Sequence, residues 1–165
     1  MRLDILPFPY SINIMFLYFL VMISIGVEGG YNIPAIGFNN LESGVAFAVF
    51  ANHHLRIADA SLLIGSSFYT GQNDSYFLNS YCVRCGFSKN NWRFSPFLEF
   101  GGEYMKRELG GAEETGLALS YAVGFLINFQ SNNLRLYPKF FYEGLTDFKG
   151  HGGFVGMKLG IGYEI

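Results

Sequence analysis

From residue 31 onward the chain alternates between apolar and small or polar positions. Val155, Met157, Leu159, Ile161, Tyr163 and Ile165 share one face of an extended segment; Gly156, Lys158, Gly160, Gly162 and Glu164 share the other. Leu117, Leu119, Tyr121, Val123, Phe125, Ile127 and Phe129 form a second unbroken apolar row, opposite Gly116, Ala118, Ser120, Ala122, Gly124, Leu126 and Asn128. Between these, Leu134, Leu136, Pro138, Phe140 and Tyr142 alternate with Arg135, Tyr137, Lys139, Phe141 and Glu143. A period of two sends successive side chains to opposite faces of a strand. No segment beyond residue 30 sustains the apolar spacing of a helix. Earlier strands fall near 31–38, 43–52, 56–69, 76–88 and 92–106, which makes eight with the last three.

Composition decides which way those faces point. Apolar residues make up 50 % of the 165-residue chain and charged residues only 15 %, against roughly 25 % charged in soluble domains. A chain this short cannot bury so much apolar surface in one core. The surplus therefore faces lipid, and in lipid a sheet must close on itself, because an open edge leaves backbone groups unpaired. The expectation is an all-β, eight-stranded antiparallel up-and-down transmembrane β-barrel occupying residues 27–165. The net charge of −2 and the absence of a basic run exclude a nucleic-acid partner.

Residues Ile12 to Ile25 form one apolar run. It is too short for the ~20 residues of a spanning helix and fits the core of a signal peptide. Ser24-Ile25-Gly26 supplies small residues for cleavage before Val27, so 1–26 reads as a signal helix. Arg2 is the only basic side chain ahead of the run, where Asp4, Pro7 and Pro9 also lie, so a start at Met15 or a retained anchor are the alternatives. With the N-terminus of the barrel in the periplasm, the turns at Asn52–Leu55, Ser88–Asn91 and Gln130–Asn133 face inward. The longer connections 70–75, 106–116 and 145–153 face outward.

The faces opposite the apolar rows carry Asp59, Arg84, Glu99, Glu103, Arg135, Lys139, Glu143, Lys158 and Glu164. Eight strands enclose a space that side chains can fill. These charges are expected to pair inside the barrel and plug it, since an unpaired charge there would cost several kcal/mol. A narrow or gated conduit is the alternative.

The last eight residues, Lys158-Leu159-Gly160-Ile161-Gly162-Tyr163-Glu164-Ile165, resemble the assembly signal of outer-membrane barrels. Lys158, Gly160, Tyr163 and Ile165 occupy its positions, with Ile165 where Phe or Trp is usual. The layout of 31–165 is similar to the small eight-stranded OmpA/OmpX-type barrels. That resemblance implies insertion by the barrel-assembly machinery through strand addition. It also implies a bacterial outer-membrane location, lipid as the main contact, a monomer, and no cofactor.

Candidate chemistry is sparse. Cys82 and Cys85 form a CxxC, but no second pair or paired His supplies the remaining zinc ligands, and on a strand the two point to opposite faces. Some eight-stranded barrels modify lipid A, using a His, a Ser and a carboxylate near the outer rim. His151 is the only outer-rim histidine, with Asp147 nearby and Asp74-Ser75 on another loop; no His-x-Ser occurs. His53 and His54 fall in an inward-facing turn. No catalytic, metal or cofactor-binding residue is therefore assigned, and the expected role is structural or surface-interacting. A lipid-modifying enzyme and a soluble lipocalin-like barrel, with its apolar rows turned inward, are the alternatives.

Overall fold

The computed structural model describes residues 23–165 apart from 39, 56–57, 72–75, 90–91, 110 and 147–149. Its strands are β1 (Ile23–Ile36), β2 (Gly44–His53), β3 (Asp59–Thr70), β4 (Tyr76–Ser88), β5 (Phe94–Leu109), β6 (Ala112–Ile127), β7 (Phe129–Ser131), β8 (Leu134–Thr146) and β9 (His151–Glu164). Asn128 interrupts one long strand to give β6 and β7, so the nine strands make eight staves. Every neighbour is antiparallel and follows its predecessor in sequence. The sheet closes where β1 pairs with β9, from Ser24 opposite Glu164 to Ile36 opposite Gly153.

The wall is turned as a membrane barrel requires. Val27, Val49, Ile64, Val83, Leu119 and Ile161 are each 45 % or more exposed on the outside, while Arg84, Glu143 and Lys139 are 3 % or less exposed within. A lipocalin-like barrel would have these faces reversed. Inside, glycines make room for rings. A Cβ at Gly160 would overlap the Tyr137 ring, and one at Gly26 would overlap Phe50. Sheet closure and interior packing therefore depend on the same small-residue rows that alternate with the apolar ones.

Three boundaries differ from expectation. β1 begins at Ile23, not near 31, and takes Ile23–Gly26 from the segment assigned to the leader; Ser24 is fully buried between Asn52 and Glu164. The physical reason is that Ile23 and Ile25 continue the preceding apolar run, which hides their alternation with Ser24 and Gly26. The signal-helix reading of 1–22 lies outside the described residues. The expected loop 106–116 is mostly strand, because Lys106 pairs with Thr115 and Leu109 with Ala112 around a turn in which Gly111 has φ +83. Third, β8 runs on to Thr146 and β9 starts at His151, leaving only 147–150 of the expected 145–153 loop. The connections at the two ends thus do not differ in length as the sequence suggested; hairpin extension, rather than loop length, distinguishes them.

Candidate functional site

The barrel interior is layered. At the end opposite the termini, Leu41, Tyr69, Leu78, Leu145 and Phe154 form a buried apolar cap. Phe154 stacks on Phe38 at 4.7 Å and on Tyr69 at 4.6 Å, and the Tyr69 hydroxyl accepts a hydrogen bond of 2.8 Å from Asn32. Backbone pairing sets this height: Tyr69 and Leu78 face each other across β3 and β4.

Beneath the cap lies the charge network. Arg84 on β4 donates to both oxygens of Glu143 on β8, at 3.0 and 2.5 Å, to Glu103 at 2.9 Å, and to the Ser120 hydroxyl at 3.1 Å. Lys158 on β9 meets Glu28 at 3.2 Å. Lys139 on β8 meets Glu28 at 3.4 Å and also pairs with Glu99. Tyr137 donates a long hydrogen bond of 3.4 Å to Glu28. Lys139 further lies over the Phe97 ring at 4.5 Å and Lys158 over Phe141 at 5.1 Å. Such contacts lower the cost of burying an ammonium group without cancelling it.

Six of the nine expected residues, Arg84, Glu99, Glu103, Lys139, Glu143 and Lys158, meet in this layer. Asp59, Arg135 and Glu164 do not join them. They lie at the mouth beside the termini, where Asp59 contacts His54, Arg135 donates to Asn128 Oδ1 at 2.7 Å, and Glu164 accepts from Gln130 at 3.0 Å. The residue the sequence reading missed is Glu28, 3 % exposed and shared by two lysines. Between the network and the mouth lies a cavity of about 30 Å³, bounded by Glu28, Asn52, Glu99, Arg135 and Lys139. That is room for a water or two.

Of the assembly-signal residues, Lys158 and Gly160 face the interior, and Tyr163 and Ile165 lie on the outer wall. Cys82 is buried and Cys85 exposed, both as free thiols. His151 stacks against Tyr121 at 6.1 Å and shares a 3.2 Å hydrogen bond with the Tyr142 hydroxyl on the outer surface. Asp147, Asp74 and Ser75 lie outside the described residues. Among the described residues no three His, Cys, Asp or Glu converge as metal ligands.

The layered barrel has known counterparts in shape. The N-terminal β-barrel domain of Pseudomonas aeruginosa OprF superposes with a TM-score of 0.62 at 11 % identity, over 85 % of this chain and 97 % of that one. Neisserial surface protein A gives 0.60 at 11 % identity, over 87 % and 97 %. Ail, the attachment invasion locus protein of Yersinia pestis, gives 0.56 at 14 % identity, over 86 % and 97 %. The chain has the fold of the small eight-stranded outer-membrane barrels. No family model matches its sequence, and no curated protein does.

Proposed function

We propose that the protein spans a bacterial outer membrane as a closed, non-catalytic barrel whose work is done by its outward surface. The observation that carries this reading is the apolar outer wall, continuous around the staves and unsuited to water. The aromatic cap and the ionic layer support a lumen that does not conduct. The hairpin of β5 and β6 supports a surface role. β6 pairs with β8 only from Leu119 onward, while β5 stays paired with β4 as far as Leu109 opposite Tyr76. Among the described residues Ala112–Leu117 are exposed and have no strand on the β8 side, so that edge of β6 is open. Such an edge is a ready template for an extended partner segment. Insertion would proceed through β9, whose end carries the assembly-signal residues.

Fractionation with heat-modifiability on a gel tests the membrane reading. An unboiled band that runs faster, recovered with outer membranes, is expected; an unshifted soluble band would overturn it. Planar-bilayer recordings should show no steady conductance. For the surface role, the open edge of β6 can be blocked with Thr115→Lys and Leu117→Lys, both at exposed positions. That variant should still show the heat shift while cells carrying it lose attachment to surfaces; unchanged attachment would refute that role.

A further inference from the structure

The mouth beside the termini holds a histidine that touches two other staves. His54 follows the last residue of β2, and its Nδ1 lies 2.9 Å from Asp59 Oδ1 at the start of β3. Its Nε2 faces Glu164 Oε1 on β9 at 3.8 Å, and that nitrogen is buried without a hydrogen-bond partner. β1 runs between the two: Ser24 pairs with Asn52 on one side and Glu164 on the other. The His54 ring therefore reaches over the start of β1, across the seam where the first and last staves close the barrel. Glu164 is anchored from the far side as well. Its side chain accepts from Gln130 at 3.0 Å, its amide donates to the Asn133 carbonyl at 2.8 Å, and its own carbonyl accepts from Asn133 at 3.1 Å.

The groups around the ring are Asp59 from β3, Glu164 from β9, Arg135 from β8 and the neighbouring His53 of β2. A neutral imidazole has one N–H and can serve one carboxylate; an imidazolium has two and carries a charge that both acids complement. We infer that His54 is a proton-operated clasp: as imidazolium it ties the β2–β3 turn to the last strand across β1, and on losing its proton it lets go of Glu164 and loosens the mouth. The clasp sits below the cavity that Asn52, Arg135 and Lys139 help to bound, so its release would admit solvent toward the buried Glu99–Lys139 pair.

The electrostatics agree in sign. The hydrogen bond to Asp59, joined by the charges of Asp59 and Glu164, holds the His54 pKa above its ordinary value against burial and Arg135. A raised folded-state pKa stabilises the barrel fully below the unfolded value of about 6.5, and that stabilisation is lost as pH rises through the folded value. The clasp is thus set in mild acid and released on the alkaline side.

The test uses the full chain folded in lipid vesicles. The imidazole NMR signals of His54, assigned by their loss in His54→Gln, should titrate above the ordinary histidine range and move down in Glu164→Gln. The half-time of unfolding at fixed temperature, read from the heat-shifted band, should be longer at about pH 5.5 than at about pH 8.5 in the parent protein. That difference should vanish in His54→Gln and shrink in Glu164→Gln. A His54 titration at or below the ordinary range, or one unmoved by Glu164→Gln, would overturn the clasp. So would a His54→Gln protein that keeps the parent's pH dependence. If His54→Gln fails to assemble, the His54 signals are assigned by elimination from His53→Gln and His151→Gln, and the parent and Glu164→Gln titrations still decide the matter.

Discussion

Replacing Arg84 by Met isolates the energy of the ionic layer. The guanidinium is 2 % exposed and serves Glu143, Glu103 and Ser120 at once. Met fills much of the same volume but donates nothing, leaving Glu103 and Glu143, 2 % and 1 % exposed, facing each other without that cation. Two routes to the cost agree. Breaking a buried ion pair by removing one partner costs roughly 3–5 kcal/mol. Neutralising one carboxyl at pH 7, starting from an ordinary value of about 4.3, costs about 3.7 kcal/mol at 1.36 kcal/mol per unit. Urea unfolding in lipid vesicles, followed by loss of the heat-shifted band, should show Arg84→Met less stable by about that amount. The triple variant Arg84→Met/Glu103→Gln/Glu143→Gln removes the charges together and should recover most of the loss, since neutral replacement of a whole buried network is often tolerated. A single variant as stable as the parent, or a triple variant no better than the single, would refute the assignment of Arg84 as the cation that makes these carboxylates tolerable.

Three further outcomes follow from the wall and the seam. Gly101→Ala should destabilise the barrel by about 1–3 kcal/mol, because its Cβ would overlap the Val83 carbonyl and the Arg84 backbone, whereas Gly102→Ala meets nothing within 4 Å and should be nearly silent in the same urea assay. Val49→Arg, on the outer face of β2, should cost about 2–4 kcal/mol in lipid; Leu117→Arg, on the hairpin and 75 % exposed, should cost almost nothing, and equal costs would contradict the position given to the membrane. N-terminal sequencing of the heat-shifted band should begin at or before Ile23, since cleavage before Val27 would strip from β1 the residues paired with Phe50–His53 and Gly162–Glu164.

The staves after residue 43 were legible because lipid imposes a strict period of two on each of them, as along Leu117–Phe129. β1 was not, because its first residues merge with an apolar run whose length suited a leader better than a strand. Glu28 went with it. Once Ser24, Glu28 and Asn32 are seen on one face, with Gly26 and Gly30 between them, Glu28 is an interior carboxylate by the same rule that found Glu99 and Lys139. Which interior charges meet was not legible at all. That depends on register and height: Arg84 lies opposite Gly101, where the missing side chain lets the guanidinium pass toward Glu103, while Arg135 and Asp59 fall layers away. Alternation assigns a residue to a face but says nothing of its level along the axis. The β5–β6 hairpin failed for a related reason, since its Glu and Lys residues look like loop composition although each faces a partner across the turn.

The order of the interior layers bears on what the protein can do. A conducting barrel needs polar lining along the whole axis, and here the aromatic cap of Phe38, Tyr69 and Phe154 closes one end while the Phe50, Phe97 and Tyr137 cluster narrows the space below the charges. Opening such a path would require moving stacked rings that rest against glycines, as Tyr137 does on Gly160, and so would disturb the wall itself. The mouth beside the termini is different: it is lined by polar groups, and one of them is a histidine whose pKa the hydrogen bond to Asp59 raises. At the opposite end, among the described residues, the β8-side edge of β6 is open from Ala112 to Leu117. On the proposed reading, the middle of stacked rings and paired charges would hold that mouth and that edge apart.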